Sequence, residues 1–120
     1  MEGRCIARYL RTSPRKMRQV ADLIRGRGVE DALNILHFNP KAPSRPLEKA
    51  LRSAVANLMN SDEGAKVSPE ELFVKEIQVN AGFTLRRYRA GSMGRASRIR
   101  KRTCHVIIVV AAAAEKTAAA

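Results

Sequence analysis

The order of elements in the sequence is a strand, three helices and then two strands joined by a long ribbon, which predicts an α+β fold. Three observations carry that expectation. Three segments between residues 13 and 59 place apolar side chains at helical spacing and are separated by glycine or proline. Segments around residues 5–9, 72–80 and 103–110 alternate or run apolar as strands do. Between the last two strands lies GFTLRRYRAGSMGRASRIRKR, residues 82–102, too basic for a core and too long for a structureless loop in a small domain.

Each element follows from its residues. Cys5, Ala7 and Tyr9 alternate with Arg4, Ile6 and Arg8, so the first strand has one polar face. Ser13 can cap the first helix, and Pro14 suits its first turn because the missing N–H has no helical partner there. Met17, Val20, Ala21 and Ile24 share one face of this helix, and Gly26-Arg27-Gly28 stops it. A second helix runs from Val29 to about Phe38 and breaks at Asn39-Pro40. For the third, Ser44 is the expected cap, and Leu47, Ala50, Leu51, Ala54, Val55 and Leu58 form its apolar stripe, ending at residues 60–64. Ser68-Pro69-Glu70-Glu71 reads as a capped turn. Residues 72–80 read as a strand with Phe73, Ile77 and Val79 on one side, and residues 103–110 as a central strand, almost continuously apolar. A β-hairpin turning near residues 90–94 joins them, where Gly91 and Gly94 permit reversal. The expected organisation is one domain over residues 1–110, its hairpin at about 82–102, and a disordered Ala-rich tail over 111–120.

Charge points to the partner. The 23 Lys and Arg against 11 Asp and Glu give +12 over 120 residues, and arginine outnumbers lysine 16 to 7. Residues 1–27 carry +6, residues 28–83 carry −2, and residues 84–102 carry eight basic side chains and no acidic one. Such a ribbon is marginal alone in water and makes sense wrapped by a polyanion, for which folded RNA is the natural candidate. Guanidinium groups bind phosphate bidentately and stack on unpaired bases, as generic cationic surfaces do not. No stretch has the roughly 20 apolar residues of a membrane span. The first sixteen residues lack the apolar run of a secretory signal. Cys5 and Cys104 cannot make a disulfide framework, so a reducing compartment is expected.

Catalysis finds no constellation. Cys104 and His105 are adjacent in a strand and point to opposite faces, so they cannot share a metal. His37 stands alone near a helix end, and Glu30-Asp31 and Glu70-Glu71 fall at helix starts, where the dipole favours them. No metal, cofactor, small-molecule substrate or enzymatic activity is expected.

SPRKMRQVADLIRGRGVEDALNIL, residues 13–36, and GRASRIRKRTCHVIIVV, residues 94–110, resemble the first two helices and the returning hairpin arm of the bacterial large-subunit ribosomal protein L-twenty-two family. LRSAVANLMN and LFVKEIQVNAG fill the interval in the family's order, so the resemblance spans roughly residues 4–110. It implies a small antiparallel sheet packed with three helices, plus a long protruding β-hairpin. It also implies a structural constituent of the cytoplasmic ribosome that binds and stabilises large-subunit ribosomal RNA. Carried over by position, the RNA contacts are Arg15, Lys16 and Arg18 on the first helix. On the arm they are Arg86, Arg87, Arg89, Arg95, Arg98, Arg100, Lys101 and Arg102. The tip, Ala90, Gly91, Ser92, Met93 and Gly94, corresponds to the part of the family hairpin that lines the nascent-peptide exit tunnel near the macrolide site. Neighbouring ribosomal proteins and the nascent polypeptide are the further partners so implied. The chain departs from the family pattern at Asn80-Ala81-Gly82-Phe83, at Ala90-Gly91-Ser92 and at Cys104.

Other readings are an RNA chaperone, a small nuclease, or a helix-turn-helix DNA-binding protein using residues 13–38. The nuclease lacks its carboxylate or histidine cluster. The DNA-binding reading meets Val29-Glu30-Asp31, acidic where a recognition helix approaches the major groove.

Overall fold

A computed structural model describes residues 2–61 and 68–112. Strand β1 (Glu2–Leu10) is followed by helices α1 (Pro14–Ile24), α2 (Val29–Phe38) and α3 (Ser44–Met59). A 3-10 turn (Pro69–Glu71) leads into β2 (Leu72–Ala90), and a second such turn (Ser92–Gly94) joins it to β3 (Ala96–Ala112). The sheet is antiparallel in the order β1-β3-β2, so the most apolar strand is central. The α+β architecture with a protruding hairpin is therefore as expected.

The helices cover one face of the sheet. Met17 and Ile24 of α1, Leu36 of α2 and Leu47, Leu51 and Leu58 of α3 pack against Val74, Ile77, Cys104, Val106, Ile108 and Val110, all buried. The apolar spacing in α3 thus buries a continuous stripe, and this helix lies along β1, where Asn57 Nδ2 donates to the Arg4 carbonyl at 2.8 Å. The turn between α1 and α2 docks on the other edge strand, the Val74 amide donating to the Arg27 carbonyl at 2.9 Å. The core is aliphatic, as the scarcity of aromatic residues requires.

Several local expectations change. Ser13 occupies the N-cap position of α1, but its side chain makes no capping bond. Ser44 is the first residue of α3 rather than its cap; its hydroxyl donates to the Lys41 carbonyl at 2.6 Å and closes the α2–α3 turn. Ser68 does cap, its oxygen accepting from the Glu70 amide. Phe73 is not on the side of Ile77 and Val79. One extra β2 residue lies between Val74 and Glu76, and this bulge reverses the alternation, so Phe73 pairs with Ala111 on the face away from the helices. Strand β3 continues through Ala111 and Ala112, two residues into the expected tail; residues 113–120, like most of the α3 stop at 60–64, lie outside the described residues.

Beyond the helix-covered part of the sheet, β2 and β3 run on alone. The molecule extends 65 × 25 × 23 Å with a radius of gyration of 17.5 Å. A compact chain of this length has about 13.6 Å. The hairpin accounts for the difference.

Candidate nucleic-acid interface

The hairpin is regular from Thr84↔Arg102 to Ala90↔Ala96, and cross-strand partners share a face. One face presents Thr84, Arg86 and Tyr88 opposite Arg102, Arg100 and Arg98; the other presents Leu85, Arg87 and Arg89 opposite Lys101, Ile99 and Ser97. Both faces are therefore cationic. The first forms a groove of about 310 Å³ lined by Arg86, Tyr88, Arg98, Arg100 and Arg102. All eight predicted arm cations are exposed, and among the described residues none pairs with a carboxylate. Arg86 and Arg100 face each other directly. Like charges at that spacing destabilise a ribbon in water. An anion between them removes the penalty.

At the tip, Ala90 ends β2 and Gly91 donates its amide to the Arg95 carbonyl. Met93 and Gly94 take left-handed φ values of 57° and 72°, and Gly94 does so without steric cost. Met93 is 96% exposed, an apolar side chain at the farthest point of the arm. The reversal falls where the sequence predicts it.

At its base, the arm meets α1. Arg15 and Arg18 line one depression with Gly82, Thr84 and Arg102, and Lys16 lines another with Arg11, Arg100, Lys101 and Arg102. The first-turn N–H groups of α1 open in the same region, with no acidic side chain and no cap to neutralise them. The two predicted cationic blocks thus join into one surface. Arg18 differs from its neighbours: its Nε and Nη2 donate to the Val79 carbonyl at 3.3 and 3.0 Å. It braces α1 against β2.

Two cationic features escape the sequence reading. Arg11, whose Nη1 donates to the Arg102 carbonyl at 3.4 Å, belongs to the arm base. Arg45, Lys49 and Arg52, with His37 and Glu48, line a separate depression on α3. Their spacing of four and three residues opposite the apolar stripe was the available signal; the net −2 of residues 28–83 conceals it.

The histidines have structural surroundings. His105 Nδ1 accepts from the Tyr9 amide at 3.1 Å, and His37 lies 3.8 Å from Glu48. Cys104 is wholly buried, and burial pushes its thiol up, partly offset by the Arg18 guanidinium. Among the described residues no group of three or more His, Cys, Asp or Glu side chains could hold a metal ion, and no helix is long and apolar enough to cross a membrane.

Residues 5–111 match the family model described as ribosomal protein L22p/L17e. Similar proteins include the large ribosomal subunit protein uL22 of Desulfitobacterium hafniense, 51% identical over 109 residues covering 91% of this chain and 93% of that one. The uL22 of Halothermothrix orenii is 50% identical over 110 residues, 92% and 95% of the two chains. That of Myxococcus xanthus is 49% identical over 113 residues, 94% and 98%.

Proposed function

Because the chain belongs to the ribosomal protein L22p/L17e family, we propose that it binds and stabilises large-subunit ribosomal RNA through α1 and both faces of the hairpin. Membership makes it a protein of the bacterial large ribosomal subunit, with a structural rather than enzymatic part in translation. The RNA-binding reading rests on one observation above others: eight uncompensated cations spread over both faces of a ribbon that carries no carboxylate from residue 84 to 102. A solvated surface would mix signs. A ribbon lying on one flat partner would be basic on one face only. This one is built to be surrounded.

In this reading the arm threads between RNA segments whose phosphates repel one another, and its guanidinium groups bridge them. Arg11, Arg15 and Lys16, with Arg100 to Arg102, fix the domain where the arm enters the RNA. The tip supplies almost no binding charge, and Met93 stands at its end; its place is the wall of the exit tunnel, where it meets the nascent polypeptide. Neighbouring ribosomal proteins contact the exposed domain surface.

The test is to express variants as the sole copy and measure co-sedimentation with large subunits through a high-salt wash, together with macrolide response. Deleting Ser92-Met93 should leave incorporation nearly intact and change the drug response. Removing charge at Arg98, Arg100 and Lys101 should impair incorporation first. A tip deletion that blocks incorporation, or charge removal without effect on it, overturns this division.

A further inference from the structure

Tyr9, Phe83 and His105 stand together at the foot of the hairpin, on the sheet face that the helices leave open. Both edge strands carry one extra residue at this level. β1 places two residues, Arg8 and Tyr9, between Ala7 and Leu10 against the single His105 on β3, and β2 places Gly82 and Phe83 between Ala81 and Thr84 against the single Thr103. Bulges re-aim side chains and concentrate next to functional sites. Here the extra residues bring Tyr9 and Phe83 out on either side of β3.

The arrangement is over-determined. Tyr9 holds φ at 58°, a left-handed conformation that is a genuine outlier for a bulky side chain. Its amide is fixed by His105 Nδ1 at 3.1 Å, and its ring meets the imidazole edge-on at 5.0 Å. Thr103 Oγ1 donates to the Phe83 carbonyl at 2.6 Å, fixing the second bulge. Gly82 leaves the necessary space, since a Cβ there would come within 2.5 Å of Thr103 Oγ1 and 3.2 Å of His105 Nε2. Strands on either side of a central one lie about 9.6 Å apart, yet the Tyr9 and Phe83 centroids are 5.7 Å apart. The rings lean toward each other over β3. They do not gain burial by it: Tyr9 remains 62% exposed and Phe83 50%.

The surroundings select the occupant. No acidic residue occurs between residues 3 and 21 or between 77 and 112. Arg8 is in the β1 bulge, and Arg11 reaches the carbonyl of Arg102 beside the β2 bulge. An exposed aromatic pair in a field of arginines, with no carboxylate nearby, matches a polyanion that carries flat apolar groups. We infer that Tyr9, Phe83 and His105 form a stacking platform for an unpaired RNA base at the point where the hairpin leaves the sheet. The inference rests on the RNA-binding reading and adds to it a contact with a base rather than a phosphate.

The test compares the full chain binding to a decamer of oligoadenylate and to an abasic ribose-phosphate decamer of equal charge. Stacking one base on an aromatic side chain strengthens binding by about 5- to 160-fold. The parent should therefore prefer the base-bearing decamer by roughly tenfold. Tyr9→Gly with Phe83→Ser should remove most of that preference and leave abasic affinity and its salt slope unchanged. Glycine accepts the left-handed φ at residue 9, so the bulge survives, and Phe83→Ser alone provides a variant untouched at that position. Tyr9→Phe keeps the ring and should keep the preference. A preference undiminished in the double variant, or lost in Tyr9→Phe, overturns the platform. Equal affinity of the parent for both decamers overturns it in favour of a protein partner on these rings. Binding to neither decamer overturns the RNA reading itself.

Discussion

Replacing Arg98, Arg100 and Lys101 together with glutamine removes three of the arm's eight positive charges and changes little else. All three side chains are exposed, none is paired with a carboxylate among the described residues, and none belongs to the buried core. Arg98 and Arg100 face the groove, and Lys101 faces the other way. If each meets a phosphate, each contact contributes about 0.7–0.9 to the slope of log affinity against log salt. The triple variant should flatten that slope by about two units. Between roughly 50 and 200 mM salt the parent would then lose about 16-fold more affinity than the variant does. The assay is equilibrium binding to a large-subunit RNA fragment over a salt series. Lys101→Gln alone should lower the slope by somewhat under one unit, because RNA is expected on both faces. An unchanged slope in the triple variant would mean that these side chains face water; an unchanged slope for Lys101 alone would limit the contact to the groove.

Free of RNA, the arm should exchange its amides quickly, because Arg86 and Arg100 repel across it and nothing apolar is buried there; protection should fall between Gly82 and Thr103 and be high over residues 104–110. Gly82→Ala should destabilise the fold by about 1–3 kcal/mol in denaturant unfolding, since the added Cβ collides with Thr103 Oγ1. Leu51→Ala, at a fully buried position on α3, should cost about 2–5 kcal/mol in the same measurement. Alkylation of the native protein should modify half-buried Cys5 first and Cys104 only on unfolding. Because burial raises the Cys104 thiol above its unfolded value, its contribution to stability is present at neutral pH and lost as pH climbs beyond about 8.5.

What the sequence discloses and what it hides divide along physical lines. The α3 stripe is legible because a sixteen-residue helix repeats its apolar spacing several times over. The hairpin is legible because eight charges without a counter-charge exclude both core and ordinary surface, and because Gly91 and Gly94 mark the reversal. Bulges leave no such mark. The extra residue between Val74 and Glu76 turns Phe73 to the other face, and nothing in the alternation of Leu72, Phe73 and Val74 announces it. Tyr9 is hidden for the same reason: alternation places it with Cys5 and Ala7, whereas its left-handed φ and the His105 bond hold it with Phe83. Arg18 looks in the sequence like Arg15 and Lys16, and only the approach of α1 to β2 brings it to the Val79 carbonyl. The α3 basic face is hidden by averaging, since Glu30, Asp31 and other carboxylates elsewhere in residues 28–83 cancel it in the sum.

Whether RNA encloses the hairpin on both faces is decided by an experimental density map of large subunits containing this chain. Density should be ordered through residues 84–102, with phosphates at hydrogen-bonding distance from Arg86, Arg98 and Arg100 on one face and from Arg87, Arg89 and Lys101 on the other. A hairpin lying in solvent, resting on RNA by one face alone, or packed chiefly against protein would contradict that enclosure.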